Sequence, residues 1–146
     1  MKITGFQRFF KSFAQRDVNG SQALVLSIWE MHPKDKTASN AVLYGLAMTS
    51  DGKHVWWTQI QGNLGSCNTE TLQVETVVEF PMGTGPRLAI DEHDVAWVPL
   101  YGASQLLTYD TKTRKEIARY NMPSRSAASY NVTWDPVRKV VWCRAR

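Results

Sequence analysis

The chain repeats itself. A recurrence of about 40 residues rich in strand formers leaves few folds open to it. From Tyr44 to Met82 it reads YGLAMTSDGKHVWWTQIQGNLGSCNTETLQVETVVEFPM, and from Pro86 to Pro123 it reads PRLAIDEHDVAWVPLYGASQLLTYDTKTRKEIARYNMP. A third copy, YNVTWDPVRKVVWCRAR, opens at Tyr130. Leu46-Ala47 meets Leu88-Ala89 and then Val132-Thr133. Trp57 meets Trp97 and then Trp142. Asn68-Thr69-Glu70-Thr71 meets Asp110-Thr111-Lys112-Thr113, and Val78–Pro81 meets Ala118–Asn121.

Each copy divides into four short strands separated by turn formers. In the first copy the expected strands are Gly45–Thr49, His54–Gln59, Leu64–Cys67 and Gln73–Phe80. Asp51-Gly52 and Gly62-Asn63 supply tight turns, and Asn68–Thr71 an Asx or Ser/Thr turn. In the second copy they are Arg87–Ile90, Val95–Pro99, Gln105–Tyr109 and Glu116–Tyr120. The third supplies Asn131–Trp134 and Val140–Cys143 around an Asp135-Pro136 turn. Pro81 and Pro123 mark the exits between copies. The expected class is all-β: four-stranded antiparallel β-propeller blades, an incomplete propeller of about two full and two partial blades. Neighbouring blades face each other, and large flat groups fill the space between them. Trp57, Trp97 and Trp142 are the expected wedges.

The repeat begins within residues 21–146; blades are expected over about 21–33 (partial), 44–82, 86–123 and 130–146 (partial). Residues 1–20 do not fit it. Ile3, Phe6, Phe9, Phe10 and Phe13 lie at helix-like spacing, which predicts a short amphipathic helix, and Asn19-Gly20 reads as a turn. Ala23–Glu30, followed by Met31-His32-Pro33, reads as the outer strand of the first partial blade, and Lys34–Asn40 as a polar connector. Ring closure takes about four or more blades. The chain is therefore expected to be a piece of a longer propeller, a truncated reading frame, or a unit that self-associates through open blade edges.

Composition excludes several classes. The 146 residues contain no run of about 20 apolar residues, so no transmembrane helix is expected. No signal peptide is readable at the N-terminus. The net charge of +4 gathers near both ends, but the basic residues scatter through outer strands and turns as on a solvated blade edge, so nucleic acid is not an expected partner. Cys67 and Cys143 lack metal-ligand spacing and read as thiols. Asn131-Val132-Thr133 matches a glycosylation sequon, but at the start of an expected buried strand.

Asp51-Gly52, Val55-Trp56-Trp57-Thr58, Gly62-Asn63-Leu64-Gly65, Asn68-Thr69-Glu70-Thr71 and Glu79-Phe80-Pro81 together resemble the repeat of the virginiamycin B lyase (streptogramin lyase) type of propeller. The resemblance covers roughly residues 41–146. It implies blades of a seven-bladed ring, in a family often exported. Its lyase members open cyclic streptogramin B esters by elimination, with a His base, an acidic residue and Mg²⁺. The family's acidic position at the end of the second strand is Gln59 and then Pro99 here, and its His position is Tyr44, Pro86-Arg87 and Tyr130. His32 lies in a blade exit; His54 and His93 lie in turns facing away from the lyase-type site. No catalytic or metal-ligating residue is assigned. The repeat match, with the family's acid and base absent at those positions, gives the expectation of a lyase-like propeller fragment, without lyase activity by itself, that serves as a ligand- or partner-binding scaffold. The alternatives are an active Mg-dependent carbon–oxygen lyase and a general protein- or sugar-interaction propeller. A WD-repeat scaffold fits less well, because Trp134-Asp135 ends a first strand rather than a third.

Alternating strand direction sends the connectors between blades and the turns after the second strands to one face. That face collects Tyr44, Arg87 and Tyr130 from the connectors, and Gln59, Gln61, Asn63 and Tyr101 from the turns. Aromatic and amide groups around one Arg suit a small-molecule, peptide or sugar ligand, including one bearing a carboxylate. Of these, Tyr44, Gln59, Asn63, Arg87, Tyr101 and Tyr130 are the binding candidates. Asp51, Asp91 and Asp94 sit at the opposite face as turn formers.

Overall fold

A computed structural model of the chain describes residues 7–10, 14–18, 21–25, 28–31, 38–40, 43–59, 62–71, 73–80, 87–123 and 129–145. The chain forms two compact units, Met1–Val42 and Leu43–Arg146. No helix among the described residues is long and apolar enough to cross a membrane.

The first unit is built of strands. These are β1 (Gln7–Phe10), β2 (Ala14–Val18), β3 (Ser21–Val25), β4 (Ile28–Met31) and β5 (Ala38–Asn40). β2 and β3 form an antiparallel pair closing at Val18 and Ser21, while β1, β4 and β5 form a separate three-stranded sheet. Three expectations are corrected. Gln7–Phe10 and Ala14–Val18 are extended where a helix was expected; Phe9 and Phe10 suit strands as well, and Phe10 pairs with Ile28. The run Ala23–Glu30 is divided between two sheets, and β4 lies in the middle of its sheet rather than at its outer edge. Ala38–Asn40, expected in a connector, pairs with β4. Ile3, Phe6, Phe13, Asn19-Gly20 and His32 lie outside the described residues.

The second unit contains the repeat. β6 (Leu43–Met48), β7 (His54–Gln59), β8 (Asn63–Asn68) and β9 (Val74–Glu79) form one four-stranded antiparallel sheet in chain order. β10 (Ala89–Ile90), β11 (Val95–Leu100), β12 (Gln105–Asp110) and β13 (Lys115–Asn121) form a second. β14 (Ser129–Asp135) and β15 (Val140–Ala145) form a two-stranded third. These are blades of a partial β-propeller. The turns follow the expected chemistry: Asn68 Oδ1 accepts from the backbone N–H of Glu70 and Thr71, and Asp110 Oδ1 from those of Lys112 and Thr113. Gly52 holds φ 71° at the first hairpin.

The core lies between blades. Trp56, Leu64 and Phe80 of the first blade bury against Leu88, Val98, Leu107 and Tyr109 of the second. The Trp56 and Tyr109 rings meet tilted, with centroids 5.6 Å apart. A second cluster joins Ala89 and Leu106 to Val132, with Trp97, Trp134 and Cys143 packed around it. Gly45 lets β6 approach β10, since a Cβ there would lie 2.6 Å from the Leu88 nitrogen.

The tryptophan alignment is corrected by one residue. Ala47 pairs with Trp56, Ala89 with Trp97, and Thr133 with Trp142. The repeated position is therefore Trp56, Trp97 and Trp142; Trp56 packs against the second blade and Trp97 against Val132 of the third. Trp57 takes the other side of its sheet, paired with Gly65, where a Cβ would overlap its indole. Adjacent residues of a strand face opposite ways, so a one-place slip exchanges the faces. The wedges also differ in burial: Trp56 is 1% exposed, Trp97 is half-buried, and Trp142 is 59% exposed. The Trp97 indole donates to Asp91 Oδ2 at 2.9 Å and that of Trp142 to Asp135 Oδ2 at 3.2 Å. Thr49 holds the equivalent place in the first blade, and Trp56 Nε1 has no hydrogen-bond partner among the described residues.

Urea unfolding separates the two ends of this series. Trp56→Ala should lower stability by about 3–5 kcal/mol, whereas Trp142→Ala should change it by no more than about 0.5–1 kcal/mol. Equal losses would contradict the assignment of Trp56 as the wedge.

Candidate functional site

The first strands of the three blades line a cavity of about 520 Å³. β6 brings Tyr44, Gly45 and Leu46 to it; the start of the second blade brings Arg87 through Ile90; β14 brings Asn131 through Trp134, with Pro136 beyond. The repeat dictates this arrangement, because equivalent first strands fall side by side when blades pack in series. Leu46, Ile90, Trp134 and Pro136 make apolar wall, while Tyr44, Arg87, Asn131 and Thr133 contribute polar groups. Arg87 is the one charged residue among the described lining residues, and none of them is an imidazole or a carboxylate. Asn131 Oδ1 is buried without a hydrogen-bond partner among the described residues.

The six sequence candidates divide into three pairs. Tyr44 and Arg87 line the cavity. Tyr101 and Tyr130 meet edge to face, with centroids 6.1 Å apart and planes at 72°. Gln59 is 2% exposed, and its Oε1 accepts from Asn63 Nδ2 at 2.7 Å. That pair spans the turn between β7 and β8. Gln61 lies outside the described residues. The candidates missed Asn131, Thr133 and Trp134. Asn131 stood out only as a sequon, and the other two only as repeat members. Their signal was the alignment itself, since Asn131 and Arg87 each directly precede the aligned pairs Val132-Thr133 and Leu88-Ala89.

The opposite face carries links between the blades. Asp94 is 3% exposed and holds φ 63°, which Asp tolerates better than most residues. Its Oδ1 accepts from the Ser50 N–H at 2.6 Å and its Oδ2 from the Ser50 hydroxyl at 3.0 Å, with Lys112 Nζ 3.1 Å away. The Asp94 carbonyl accepts from Thr111 Oγ1 at 2.6 Å. Asp94 therefore fastens the first blade to the second. Burial pushes its carboxyl up, but the Ser50 and Lys112 donors outweigh this and hold it below the usual value. A parallel link runs from Arg114 to Glu75, at 2.5 Å, with His54 Nε2 3.0 Å from the same Glu75 oxygen. Lys139 of the third blade reaches Glu92 of the second. His93 is exposed in its turn, so neither described histidine borders the cavity. Cys67 is buried, and desolvation, helped by Glu75, raises its thiol pKa.

The lowered carboxyl fixes the sign of an acid effect. Stability that Asp94 confers is complete above the unfolded carboxyl value near 3.8 and is lost as pH falls through the lower folded value. Asp94→Asn should cost about 1–3 kcal/mol at pH 7. The gap between the urea midpoints of the two proteins should narrow below about pH 4; a constant gap from pH 7 to pH 3 would rule out the charged clamp.

Comparison with known proteins places this geometry in a fold. No family model matches the chain, and no curated protein is similar to it in sequence. Solved structures do align with it. Kuenenia stuttgartiensis hydrazine synthase superposes with TM-score 0.63 at 12% identity, over 80% of this chain and 35% of that one. Virginiamycin B lyase from Staphylococcus aureus superposes with TM-score 0.62 at 12% identity, over 81% and 41%. A streptogramin B lyase gives 0.61 at 16% identity, over 82% and 41%. The chain thus spans less than half the length of each. At these identities the likeness establishes the β-propeller scaffold, which the protein shares with chains of unlike names and unlike chemistry.

Proposed function

We propose that the chain is a segment of a virginiamycin B lyase-like propeller that binds a small ligand at the cavity between its first strands, and that it does not itself catalyse ester elimination. The carrying observation is the makeup of the cavity: apolar walls, aromatic and amide groups and one Arg, with no base at hand among the described lining residues. Elimination next to a carbonyl needs a group to take the proton. His54 is engaged with Glu75, and His93 stands in an exposed turn. Magnesium favours carboxylate and water oxygens, and no carboxylate lines the described cavity. The residues there do not fit the metal that the resemblance implies, so no step is routed through one. An interaction propeller that takes a peptide or sugar through the same face is the second reading, supported by the Tyr101–Tyr130 contact.

Incubation with a cyclic streptogramin B ester and Mg²⁺, followed by mass spectrometry, should leave the ring closed; ring-opened product above the rate without protein would defeat the non-catalytic reading. Tyr44→Ala should weaken any ligand held in the cavity, whereas Tyr101→Ala should weaken a ligand held at the outer aromatic pair.

A further inference from the structure

The geometry points to a ligand class for this cavity: a monoanionic carboxylate that carries an N–H donor and an apolar side group. The inference rests on the cavity reading above and adds the chemistry of its occupant. Two unmet needs meet in one lining. Arg87 makes no ion pair or hydrogen bond among the described residues, and it is the cation that lines the cavity. Its guanidinium offers donors in a fork that matches a carboxylate. With no acid among the described lining residues, the cavity favours an anion and does not repel one.

The second need is that of Asn131. Its Oδ1 is buried and accepts no hydrogen bond among the described residues. A buried carbonyl oxygen left in that state is costly, and a donor on the ligand removes the cost. Gly45, Arg87 and Asn131 hold the same repeat position, each directly before an aligned pair, so Arg87, just ahead of β10, and Asn131, in β14, take equivalent places in neighbouring blades. A cation and an unsatisfied acceptor in the lining of one cavity suit a carboxylate that also carries an amide N–H. Leu46, Ile90 and Trp134 supply the apolar surface that an aliphatic side group would cover. A neutral sugar would leave Arg87 unmatched, and a divalent anion would exceed the one positive charge.

N-acetyl-L-leucine carries all three features and serves as the probe. Its controls are N-acetyl-L-leucinamide, which lacks the charge, and the N-methylated acid, which lacks the donor. Calorimetry gives the affinities, and the NMR shift of the Trp134 indole N–H reports whether the cavity is occupied. The acid should bind about tenfold or more tighter than the amide, and Arg87→Gln should erase that preference while Arg87→Lys keeps part of it. Asn131→Ala should erase the preference for the acid over its N-methylated form without lowering the unfolding midpoint. Arg87 is exposed, so Arg87→Gln should unfold at the wild-type midpoint. Equal affinities for acid and amide with a shifted Trp134 would overturn the carboxylate assignment and leave the cavity reading standing. No shift of Trp134 with any probe would overturn both.

Discussion

The second unit depends on one contact, the Trp56 indole set between two blades. A lone four-stranded sheet has two faces to cover and too little apolar surface to fold by itself. Trp56 brings the first and second sheets into register by meeting Tyr109 and the aliphatic residues around it. The rest of the unit follows that packing. Gly45 approaches Leu88 closely because the sheets are held near each other on this side. Asp94 reaches Ser50 for the same reason at the far end. The cavity exists because blades held face to face converge at their first strands.

Much of this was legible in the residues. Strand boundaries in the second unit fall within a few residues of those read from the repeat. Their signals are local: two-residue alternation, Gly at a hairpin, Asn or Asp folding back on the next amides. The wedge was legible in kind but not in register. Trp56 and Trp57 are adjacent, and either satisfies an alignment with Trp97; the choice needs the pairing of Ala47, which only the hairpin sets. The role of Asp94 was hidden for a related reason. Its partner Ser50 is 44 residues earlier, and turn chemistry alone accounts for an Asp at that place. In the first unit the spacing of phenylalanines fits a helix and a strand alike, and pairing with Ile28–Met31 decides for the strand.

Part of the cavity lining was legible. Counting strand directions places Tyr44 and Arg87 on one face, and both line the cavity. It says nothing of which polar side chains satisfy each other. Gln59 and Asn63 look like ligand-binding amides in sequence, yet they bond to one another. Asn131 looks like a modification signal and is instead the buried acceptor beside the cavity. Side-chain pairing across a turn depends on rotamer and distance, which residue type does not carry.

The third blade gives the unit a gradient. β14 and β15 have one packed face, while Trp142 and Val140 stand in solvent on the other. Repeats that touch only their neighbours open in order of how much each one shares. The amide protons of β14 and β15 would then trade with deuterium sooner than those of β7 and β11, and the wall carrying Asn131 and Trp134 would breathe while the Arg87 wall stayed closed. In this chain, opening of the β14–β15 hairpin would uncover the cavity from the Asn131 side.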